Sequence, residues 1–399
     1  EASAAALRDG GTARRTELAN SRALMLAVYC SVMTPRHWAA FLDHGKLVGY
    51  SVEPTGTVAR FGDVHAAVLR HINKATGFAT VMLAGDESAL LDLPRDRRLP
   101  TIGARLLVQV RRGGRGSKMA KVSDRIRLQD GTSGVDIFWV DGVGRTEPDL
   151  AGPADVSGAD ERTLLAARVG ALIAAADAAA APKLLLRQHD CLTDLLMRFP
   201  EAASSTMRCD SRTMAERWSE RSSSGPVASP IQVDFEPERD WRFRRTDIVD
   251  ALRDALEPEQ HLTGGGALLV EPGETLTAID INAGARMHSS GEERLAYQIN
   301  EAAVPEIVRL IRLLNLSGNI VIDFMGMRAS GRRRTIAGNL QAAMAIDPAE
   351  PWVGGMSPLG LFEIGRRHLG PDLYDAFSID RARARGLEVE GLDALTGGL

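Results

Sequence analysis

The chain has 399 residues, of which 44% are hydrophobic and 25% charged, and this composition excludes an intrinsically disordered protein. Such a length is too great for one ordinary hydrophobic core and predicts about two to four domains. The formal net charge of −4 excludes a uniformly basic nucleic-acid binder, so any binding of phosphate must depend on local basic clusters.

The cysteines and the hydropathy of the chain indicate its compartment. Cys30, Cys191 and Cys209 are odd in number and form no C-x-x-C pair. We therefore expect a reducing compartment, the cytoplasm, and no disulfide framework or zinc site built from these residues. No apolar run reaches the ~18 residues typical of a membrane-spanning helix, so we expect no membrane-spanning segment.

Short strands dominate the predicted elements at the start of the chain. Apolar runs at 24–32, 38–42 and 47–52 predict three strands. The Asp-His-Gly sequence at 43–45 predicts a hairpin turn between the second and the third, because Gly tolerates the positive φ that such a turn needs.

Between 57 and 128 the sequence predicts a small β-barrel of the oligonucleotide-binding (OB) type, because about five short apolar runs alternate with Gly and Asp signals. Barrels of this type bind single strands through a basic groove and stacked aromatic rings. Phe78 is the aromatic residue in the middle of this segment, and Arg115 and Lys118 lie in its basic, glycine-containing turn. We take these three residues as candidate RNA contacts; an ordinary solvated side chain is the alternative for Lys118.

Mixed helices and strands are predicted from 129 to 260. An Ala-rich helix is expected over 160–180, and further α/β elements follow from 183. The run Gly264-Gly265-Gly266 then marks a boundary, where the backbone either approaches another group closely or forms a hinge.

Two apolar strands that each carry a carboxylate follow this boundary. The strand at 276–281 carries Asp280, with Asn282 two positions later on the same strand face, and the strand at 320–324 carries Asp323. A helix predicted between them would bring the two carboxylates within a few ångströms of each other. Mg²⁺ requires one or two carboxylates together with waters and a substrate phosphate. The alternative is that each Asp merely caps a strand or satisfies a turn.

The segments around these strands complete the prediction for the last third of the chain. The connecting helix, over 292–314, contains Pro305, which predicts a kink or a restart there. Another helix is expected over 335–345 and a strand followed by a helix over 359–368. A basic cluster supplies Arg328, Arg332 and Arg333 as candidate phosphate contacts, with a solvated surface as the alternative.

Six ordered segments over about 100 residues surround the acidic strands. Their order and spacing resemble the catalytic region of the ribonuclease E/G family. The segments are Leu262-Thr263-Gly264-Gly265-Gly266, Leu276-Thr277-Ala278-Ile279-Asp280-Ile281-Asn282, Asn300-Glu301-Ala302-Ala303, Leu313-Leu314-Asn315-Leu316-Ser317-Gly318, Ile322-Asp323-Phe324-Met325-Gly326-Met327 and Pro358-Leu359-Gly360-Leu361-Phe362-Glu363-Ile364.

The resemblance implies an α+β multidomain fold. A ribonuclease-H-like subdomain would be interrupted by the OB-type RNA-binding β-barrel and followed by a DNase-like α/β catalytic domain. The implied bounds are 1–22 for an extension, 23–56 with 183–260 for the ribonuclease-H-like subdomain, 57–128 for the barrel, 129–182 for a reduced 5′-sensor-like region, 261–375 for the catalytic domain and 376–399 for a tail.

The resemblance also implies a chemistry. Asp280 and Asp323 would hold Mg²⁺, with Mn²⁺ as an alternative, and Asn282 would orient Asp323 or a metal-bound water. The reaction would be endonucleolytic hydrolysis of single-stranded RNA to 5′-phosphate and 3′-hydroxyl ends, in RNA processing, including that of ribosomal RNA, or in decay. A catalytically weak or inactive RNA-binding protein derived from the same family is the alternative.

Several positions depart from the family pattern. Gly326 stands where family members commonly have a second Asp, and Thr80 and Leu90 stand where their barrel presents aromatic residues. The family's Arg-Thr pair that recognises a 5′-monophosphate should fall within 171–176, which is apolar here, and the sensor's distant Arg aligns with Glu350. We therefore expect weak base stacking on the barrel and no sensing of the 5′ end.

The family's zinc link is also missing from the sequence. Residues 370–399 contain no C-x-x-C motif. We therefore expect no zinc and no zinc-linked dimer, while the oligomeric state stays open.

Overall fold

The computed structural model describes most of the chain, but the predicted extension 1–22 and most of the tail 376–399 lie outside the described residues, as do Arg115 and Lys118. The described ranges are 26–34, 36–53, 59–93, 101–114, 119–130, 133–138, 159–180, 182–187, 190–224, 232–284, 292–357, 359–377 and 379. They fall into two units: one comprises the described parts of 1–53, 191–223 and 229–399, and the other those of 54–190 and 224–228.

Three antiparallel strands begin the first unit: β1 (Leu26–Ser31), β2 (Trp38–Asp43) and β3 (Lys46–Val52). His44 and Gly45 form the turn between β2 and β3 with φ of 51° and 78°. Glycine adopts such values without strain. The three predicted strands and the predicted hairpin are confirmed.

A closed barrel of five strands forms the centre of the other unit. Its strands pair in the order β4-β5-β6-β8-β7, and β7 pairs again with β4. Small and branched apolar side chains fill the inside, among them Leu69, Val81 and Val108, which are fully buried. A small five-stranded barrel in this part of the chain is therefore confirmed. The strands are β4 (Val64–Asn73), β5 (Phe78–Met82), β6 (Ser88–Asp92), β7 (Arg105–Arg112) and β8 (Ala120–Ser123).

The outside of the barrel is partly covered by the elements that follow it. Ala176 and Ala179, at the end of the predicted Ala-rich helix, pack with Val64, Ala66 and Leu107. These elements are the antiparallel pair β9 (Arg125–Asp130) and β10 (Ser133–Phe138), the helix α1 (Ala159–Ala178) and β11 (Lys183–Leu186), which pairs with β4.

The first sheet of the first unit is completed by strands that lie after the barrel in sequence. It has the order β13-β12-β1-β2-β3, with β12 and β13 parallel to β1. Ser51 on β3 donates a hydrogen bond of 2.7 Å to Asp194. The chain therefore leaves the first unit after β3 and enters it again, after the barrel unit, in a helix that contacts β3. The elements are α2 (Cys191–Arg198), β12 (Thr206–Cys209), α3 (Arg212–Ser224), β13 (Val233–Phe235) and α4 (Glu238–Leu256).

The second sheet of this unit has the order β14-β15-β16-β17-β19-β18, in which β16 and β17 are parallel and connected by α5. One face is packed by apolar residues of the sheet and of the helices. The elements are β14 (Glu259–His261), β15 (Ala267–Pro272), β16 (Leu276–Asn282), α5 (Glu292–Leu313), β17 (Gly318–Asp323), α6 (Ser330–Met344), β18 (Trp352–Met356), β19 (Phe362–Arg366) and α7 (Leu373–Ala376).

Two local predictions for this region were wrong, and a third is narrowed. Helix α5 is continuous through Pro305, where the sequence predicted a kink or a restart, so the helix does not restart there and a kink stays a prediction. Helix α6 begins at Ser330, earlier than 335. The predicted strand-to-helix segment at 359–368 is instead the end of the hairpin β18–β19. Within the described ranges, no helix combines the length and the apolar character needed to cross a membrane.

Candidate active site

Asp280 and Asp323, here called the acidic pair, are direct neighbours on parallel strands. Their Cα atoms are register partners between β16 and β17. Adjacent strands lie about 4.8 Å apart, so side chains at partner positions leave the same face of the sheet side by side. The sequence indicated that the two residues would lie close together. In the structure, the pairing of β16 with β17 brings them together.

The burial pattern of the two strands fixes the face on which the acidic pair lies. On β16, Ile279 and Ile281 are buried in the core while Asp280 is partly exposed and Asn282 is exposed. On β17, Ile322 is buried and Asp323 is exposed. A slip of one residue would turn the isoleucines to water and the carboxylates into the core. Hydrophobic burial on one face therefore determines where the carboxylates stand on the other.

Two further carboxylates lie on this open face, and sequence reasoning missed both. Glu271 on β15 is the register partner of Ala278, and Glu363 on β19 is the partner of Val321. Each is thus displaced by two residues along the strand from one member of the acidic pair. The alternation of Phe362, Glu363 and Ile364 is the signal that could have found Glu363.

The described residues contain no group of three or more His, Cys, Asp or Glu side chains close enough to hold a metal ion together. Mg²⁺ commonly binds through one or two carboxylates and keeps several waters, so a pair is a sufficient donor set.

A loop at 324–329 follows Asp323, and α5 holds it at both ends. The side chain of Asn300, fully buried on α5, donates to the Met325 carbonyl at 2.9 Å and accepts from the Met325 N–H at 3.0 Å. Glu293 accepts from the Ala329 N–H at 2.8 Å. The backbone beyond Asp323 is therefore fixed by side chains of the same helix that connects the two acidic strands.

Gly326, at the position where the resemblance to the family led us to expect a second Asp, lies in this loop. It is exposed, its φ is not in the left-handed region, and a Cβ added to it would meet no heavy atom within 4 Å. The backbone therefore leaves room for a side chain at this position.

The three predicted phosphate-contacting arginines differ in their surroundings. Arg328 is exposed. Arg332 donates to the Glu293 carbonyl at 3.2 Å and stands 5.6 Å from the ring centre of Tyr297. Arg333 donates to the Met327 carbonyl at 2.6 Å. Arg333 thus holds the loop and Arg332 joins α6 to α5, while a role in binding RNA stays a prediction for all three.

The positive charge here lies at the start of a helix. Helix α6 has no acidic residue in its first turn, so its N-terminal dipole adds to the arginine charges and favours an anion nearby. Tyr297, the neighbour of Arg332, donates a hydrogen bond of 2.9 Å to Glu301, and this bond raises the pKa of Tyr297. Tyr297 therefore stays neutral near physiological pH.

A buried ion pair supports the other end of the acidic strands. Arg366 on β19 is the register partner of Gly318, the first residue of β17. Its guanidinium donates to Asp347 at 2.7 Å, to the Asn315 side chain at 2.9 Å and to the Leu316 carbonyl at 2.8 Å. Burial lowers the pKa of Arg366, and the bond to Asp347 opposes that change. This network fixes where β17 begins.

The predicted RNA contacts on the barrel are only partly described, because Arg115 and Lys118 lie outside the described residues. Phe78 is partly buried, and the Lys121 Nζ stands 5.6 Å from its ring centre. Lys121 also pairs with Asp92 at 2.9 Å. A cation of the chain itself thus contacts the Phe78 ring.

Thr80 and Leu90 stand at the two positions where the resemblance to the family led us to expect aromatic residues on the barrel. They are register partners on β5 and β6, and both are partly exposed. Two aromatic residues at these positions would therefore lie side by side, whereas Thr80 and Leu90 offer no ring for a base.

Comparison with known proteins identifies the group to which this fold and site belong. A family model described as Ribonuclease E/G family matches residues 109–369, more than half of the chain. The chain belongs to the ribonuclease E/G family. The match includes both acidic strands, α5 and the loop at 324–329, and it confirms the resemblance that the sequence motifs indicated.

Individual relatives of this family member share about a third of the aligned residues. Ribonuclease E from Nostoc sp. is 30% identical over 200 residues, which are 49% of this chain and 29% of that protein. Ribonuclease E from Synechocystis sp. is 34% identical over 126 residues, 32% of this chain and 19% of that protein. Ribonuclease G from Escherichia coli is 31% identical over 173 residues, 43% of this chain and 35% of that protein. The alignments thus span about a third or less of each relative's length.

Proposed function

We propose that this ribonuclease E/G family member is an endoribonuclease that hydrolyses single-stranded RNA at internal phosphodiesters, leaving 5′-phosphate and 3′-hydroxyl ends, in RNA processing or decay. The observation that carries the proposal is the in-register position of Asp280 and Asp323 on the open face of the second sheet. Family membership and relatives named as ribonucleases support it.

The donor atoms at the site fit Mg²⁺. Two carboxylates on adjacent strands and the amide oxygen of Asn282 on the same face are hard oxygen ligands, which Mg²⁺ prefers to nitrogen or sulfur. A bound Mg²⁺ would lower the pKa of a water and neutralise charge on the phosphoryl oxygens. Mn²⁺ is an alternative occupant because it accepts the same ligand type.

The chain's own residues would then bind and orient the RNA. Asp280 and Asp323 provide fixed negative charge on the open face, and Asn282 orients Asp323 or a water through its amide. Arg328 is placed to neutralise a phosphate near the start of α6. Asn300 acts as a positioning residue because it holds the backbone that follows Asp323.

The finer features of the fold belong to the same proposal. The barrel's strand order and size support an OB-type RNA-binding domain. We assign the first sheet to a ribonuclease-H-like subdomain and the second sheet to a DNase-like catalytic domain. A cytoplasmic location and the absence of zinc and of a zinc-linked dimer stay predictions from the sequence.

The decisive experiment is a cleavage assay on an unstructured, AU-rich RNA oligonucleotide with Mg²⁺ and with EDTA. We expect cleavage at internal positions only with the metal, and a rate about a thousandfold lower for Asp323→Asn, because an electrostatic group at the reacting phosphate is worth several kcal/mol. If neither the parent chain nor Asp323→Asn shows metal-dependent cleavage, the proposed activity is wrong.

An RNA-binding protein with weak or no turnover is the second candidate, and Gly326 together with Thr80 and Leu90 favours it. Because the backbone at Gly326 leaves room for a side chain, Gly326→Asp tests it directly. A several-fold gain in cleavage by Gly326→Asp, with unchanged RNA affinity, would support this candidate. Gly338→Asp, at another exposed glycine with open space around it and away from the start of α6, is the matched control.

Loss of 5′-end sensing is also proposed. Within 171–176, Leu172, Ile173 and Ala176 pack α1 against the barrel, and this apolar packing supports the proposal. Glu350 pairs with Arg367 at 2.6 Å and would repel a phosphate. We expect equal cleavage rates for 5′-monophosphorylated and 5′-hydroxyl RNA; a markedly faster reaction on the monophosphorylated RNA would contradict this.

A further inference from the structure

A large aromatic side chain lies uncovered on the sheet face that carries the acidic pair. Trp352 on β18 is the register partner of Gly365, Gly365 that of Asn319, and Asn319 that of Leu276. Residues at partner positions leave the same face, and Leu276 shares its face with Asp280 because the two are separated by an even number of residues. Trp352 therefore stands on the open face.

The indole of Trp352 packs against two glycines, Gly354 and Gly365, which have no side chains to hold it away from the sheet. A Cβ on Gly354 would lie 2.6 Å from the Trp352 Cη2 atom and 2.9 Å from its Cζ3 atom, and a Cβ on Gly365 would lie 3.9 Å from its Cε3 atom. Trp352 is nevertheless 63% exposed. One side of the ring thus packs against the backbone at Gly354, where any larger residue would displace the ring. Much of the remaining ring surface is open to solvent.

The ring leans toward the acidic pair. Strands β17 and β18 run in the same direction because both are antiparallel to β19. Gly354, under the ring, is therefore closer than Trp352 to the end of the sheet where Asp323 stands. Two strand spacings of about 4.8 Å and about two residues of strand rise separate the ring from Asp323, which is on the order of 12 Å. Such a distance excludes contact with the reacting phosphate but reaches a neighbouring nucleotide.

We propose that Trp352 stacks on an unpaired base of the RNA whose phosphodiester lies at the acidic pair. The proposal rests on the function proposed above. Every base presents a π-face, so this contact would bind single strands with little sequence preference, while a base inside a duplex has its faces covered by its neighbours. The barrel provides little competing stacking, because Phe78 is already contacted by Lys121 and the positions of Thr80 and Leu90 lack rings.

The test combines protein variants with RNA oligonucleotides in which a single nucleotide is replaced by an abasic one at successive positions. Affinity is measured in the full chain carrying Asp323→Asn, with and without Trp352→Ala, Trp352→Phe or Phe235→Ala, and cleavage is measured in the chain that keeps Asp323. Phe235→Ala is the matched control, since it removes an exposed ring of the first sheet that already contacts Arg212 and has no proposed role in binding RNA.

We expect Trp352→Ala to weaken binding about tenfold, within the about 5- to 150-fold range that loss of base–aromatic stacking gives, and Phe235→Ala to change it about twofold or less. Trp352→Phe should restore most of the affinity. An abasic nucleotide at one position flanking the cleavage site should weaken binding of the chain with Trp352 by a similar factor and have no effect with Trp352→Ala, an outcome that a merely structural role would not produce.

The outcomes separate this inference from the proposed function. If RNA is bound or cleaved and the abasic penalty is the same with and without Trp352, the inference is wrong and the function stands. If the chain neither binds nor cleaves RNA, both are wrong. If Trp352→Ala changes only the sedimentation of the chain from dimer to monomer, the indole contacts a second copy and the inference is overturned.

Discussion

The barrel packs apolar side chains on its inside and, beneath α1, on part of its outside, whereas the second sheet packs one face and leaves the other exposed around the acidic pair. On the barrel, the Phe78 ring and the Asp92 carboxylate already have a partner within the chain, since Lys121 contacts both. On the second sheet, the acidic pair and Trp352 share an uncovered face. The exposed groups of the second sheet are therefore free to contact a substrate, whereas those near Phe78 already contact one another. Matched substitutions should then change RNA cleavage more in the second sheet than in the barrel.

The largest expected difference concerns carboxylates. Asp280→Asn should lower the rate of RNA cleavage about a thousandfold while leaving RNA affinity within a few-fold, because it removes charge at the reacting phosphate. Asp92→Asn, an equally conservative change of an exposed barrel carboxylate, should alter the rate about twofold or less. Single-turnover cleavage assays on both variants measure this, and equal losses would break the distinction between the two regions.

The next difference concerns ion pairs. Arg366 and Asp347 are both almost fully buried, whereas in the barrel Lys121 and Asp92 are both exposed to water. Arg366→Met should lower the free energy of unfolding by about 3–5 kcal/mol because it leaves a buried carboxylate unpaired. Lys121→Met should cost about 1 kcal/mol or less, since water screens that pair.

Urea unfolding of the two variants checks this difference. Combining Arg366→Met with Asp347→Leu should recover much of the lost stability, because no charge is then left buried alone. No recovery in the double variant would mean that the cost comes from packing and not from the ion pair.

The loop after Asp323 provides a sharper test of the open face. Asn300→Leu removes both hydrogen bonds to Met325 and should lower kcat about 10- to 100-fold with little change in KM, because misplacing a group beside the reacting atoms slows the chemical step. Asn339→Leu, at an exposed position of α6, is the control and should keep the parent kcat. Equal kcat values for the two variants would exclude a positioning role for Asn300.

The smallest effect is expected in the barrel and depends on pH. His65 is buried, and within the described part of the chain neither ring nitrogen has a hydrogen-bond partner. Burial lowers the pKa of His65, Asp63 opposes this change and Arg187 adds to it. The unfolded chain therefore binds a proton at His65 more readily than the folded chain does, and this contribution to stability is lost as the pH falls below about 6.5.

Calorimetry of the parent chain and of His65→Phe between about pH 7 and about pH 5 measures that contribution. The unfolding temperature of the parent should fall more steeply with acidification than that of His65→Phe. Parallel curves would show that His65 does not titrate differently in the folded and unfolded chain.

Periodicity was enough to predict the acidic strands and the helix between them, because buried isoleucines alternate with Asp280 and Asn282 on one strand and with Asp323 on the other. The register that makes the two aspartates direct partners could not be read from either strand alone, since it depends on how α5 packs. Strand β18 was missed because its two glycines, Gly354 and Gly355, weaken any strand pattern.

The features that sequence reasoning missed at the site share a physical cause. Glu363 and Trp352 come together with the acidic pair only through pairing of β19 with β17 and with β18. Asn300 looked like an ordinary helix residue, because its partner is a backbone group 25 residues away. Contacts between distant segments thus decide the surroundings of the acidic pair, whose two residues a local pattern can predict.

The hydrogen bond between Ser51 and Asp194 joins the last strand before the barrel segment to the helix that follows it. Two chain ends held this close can be connected by a few residues of Gly and Ser, so the barrel should be removable by genetic excision without opening the first sheet. Such a shortened chain would keep the acidic pair, Asn300 and Trp352 while losing every barrel residue. Its residual cleavage of RNA would measure directly how much of substrate capture the second sheet performs alone.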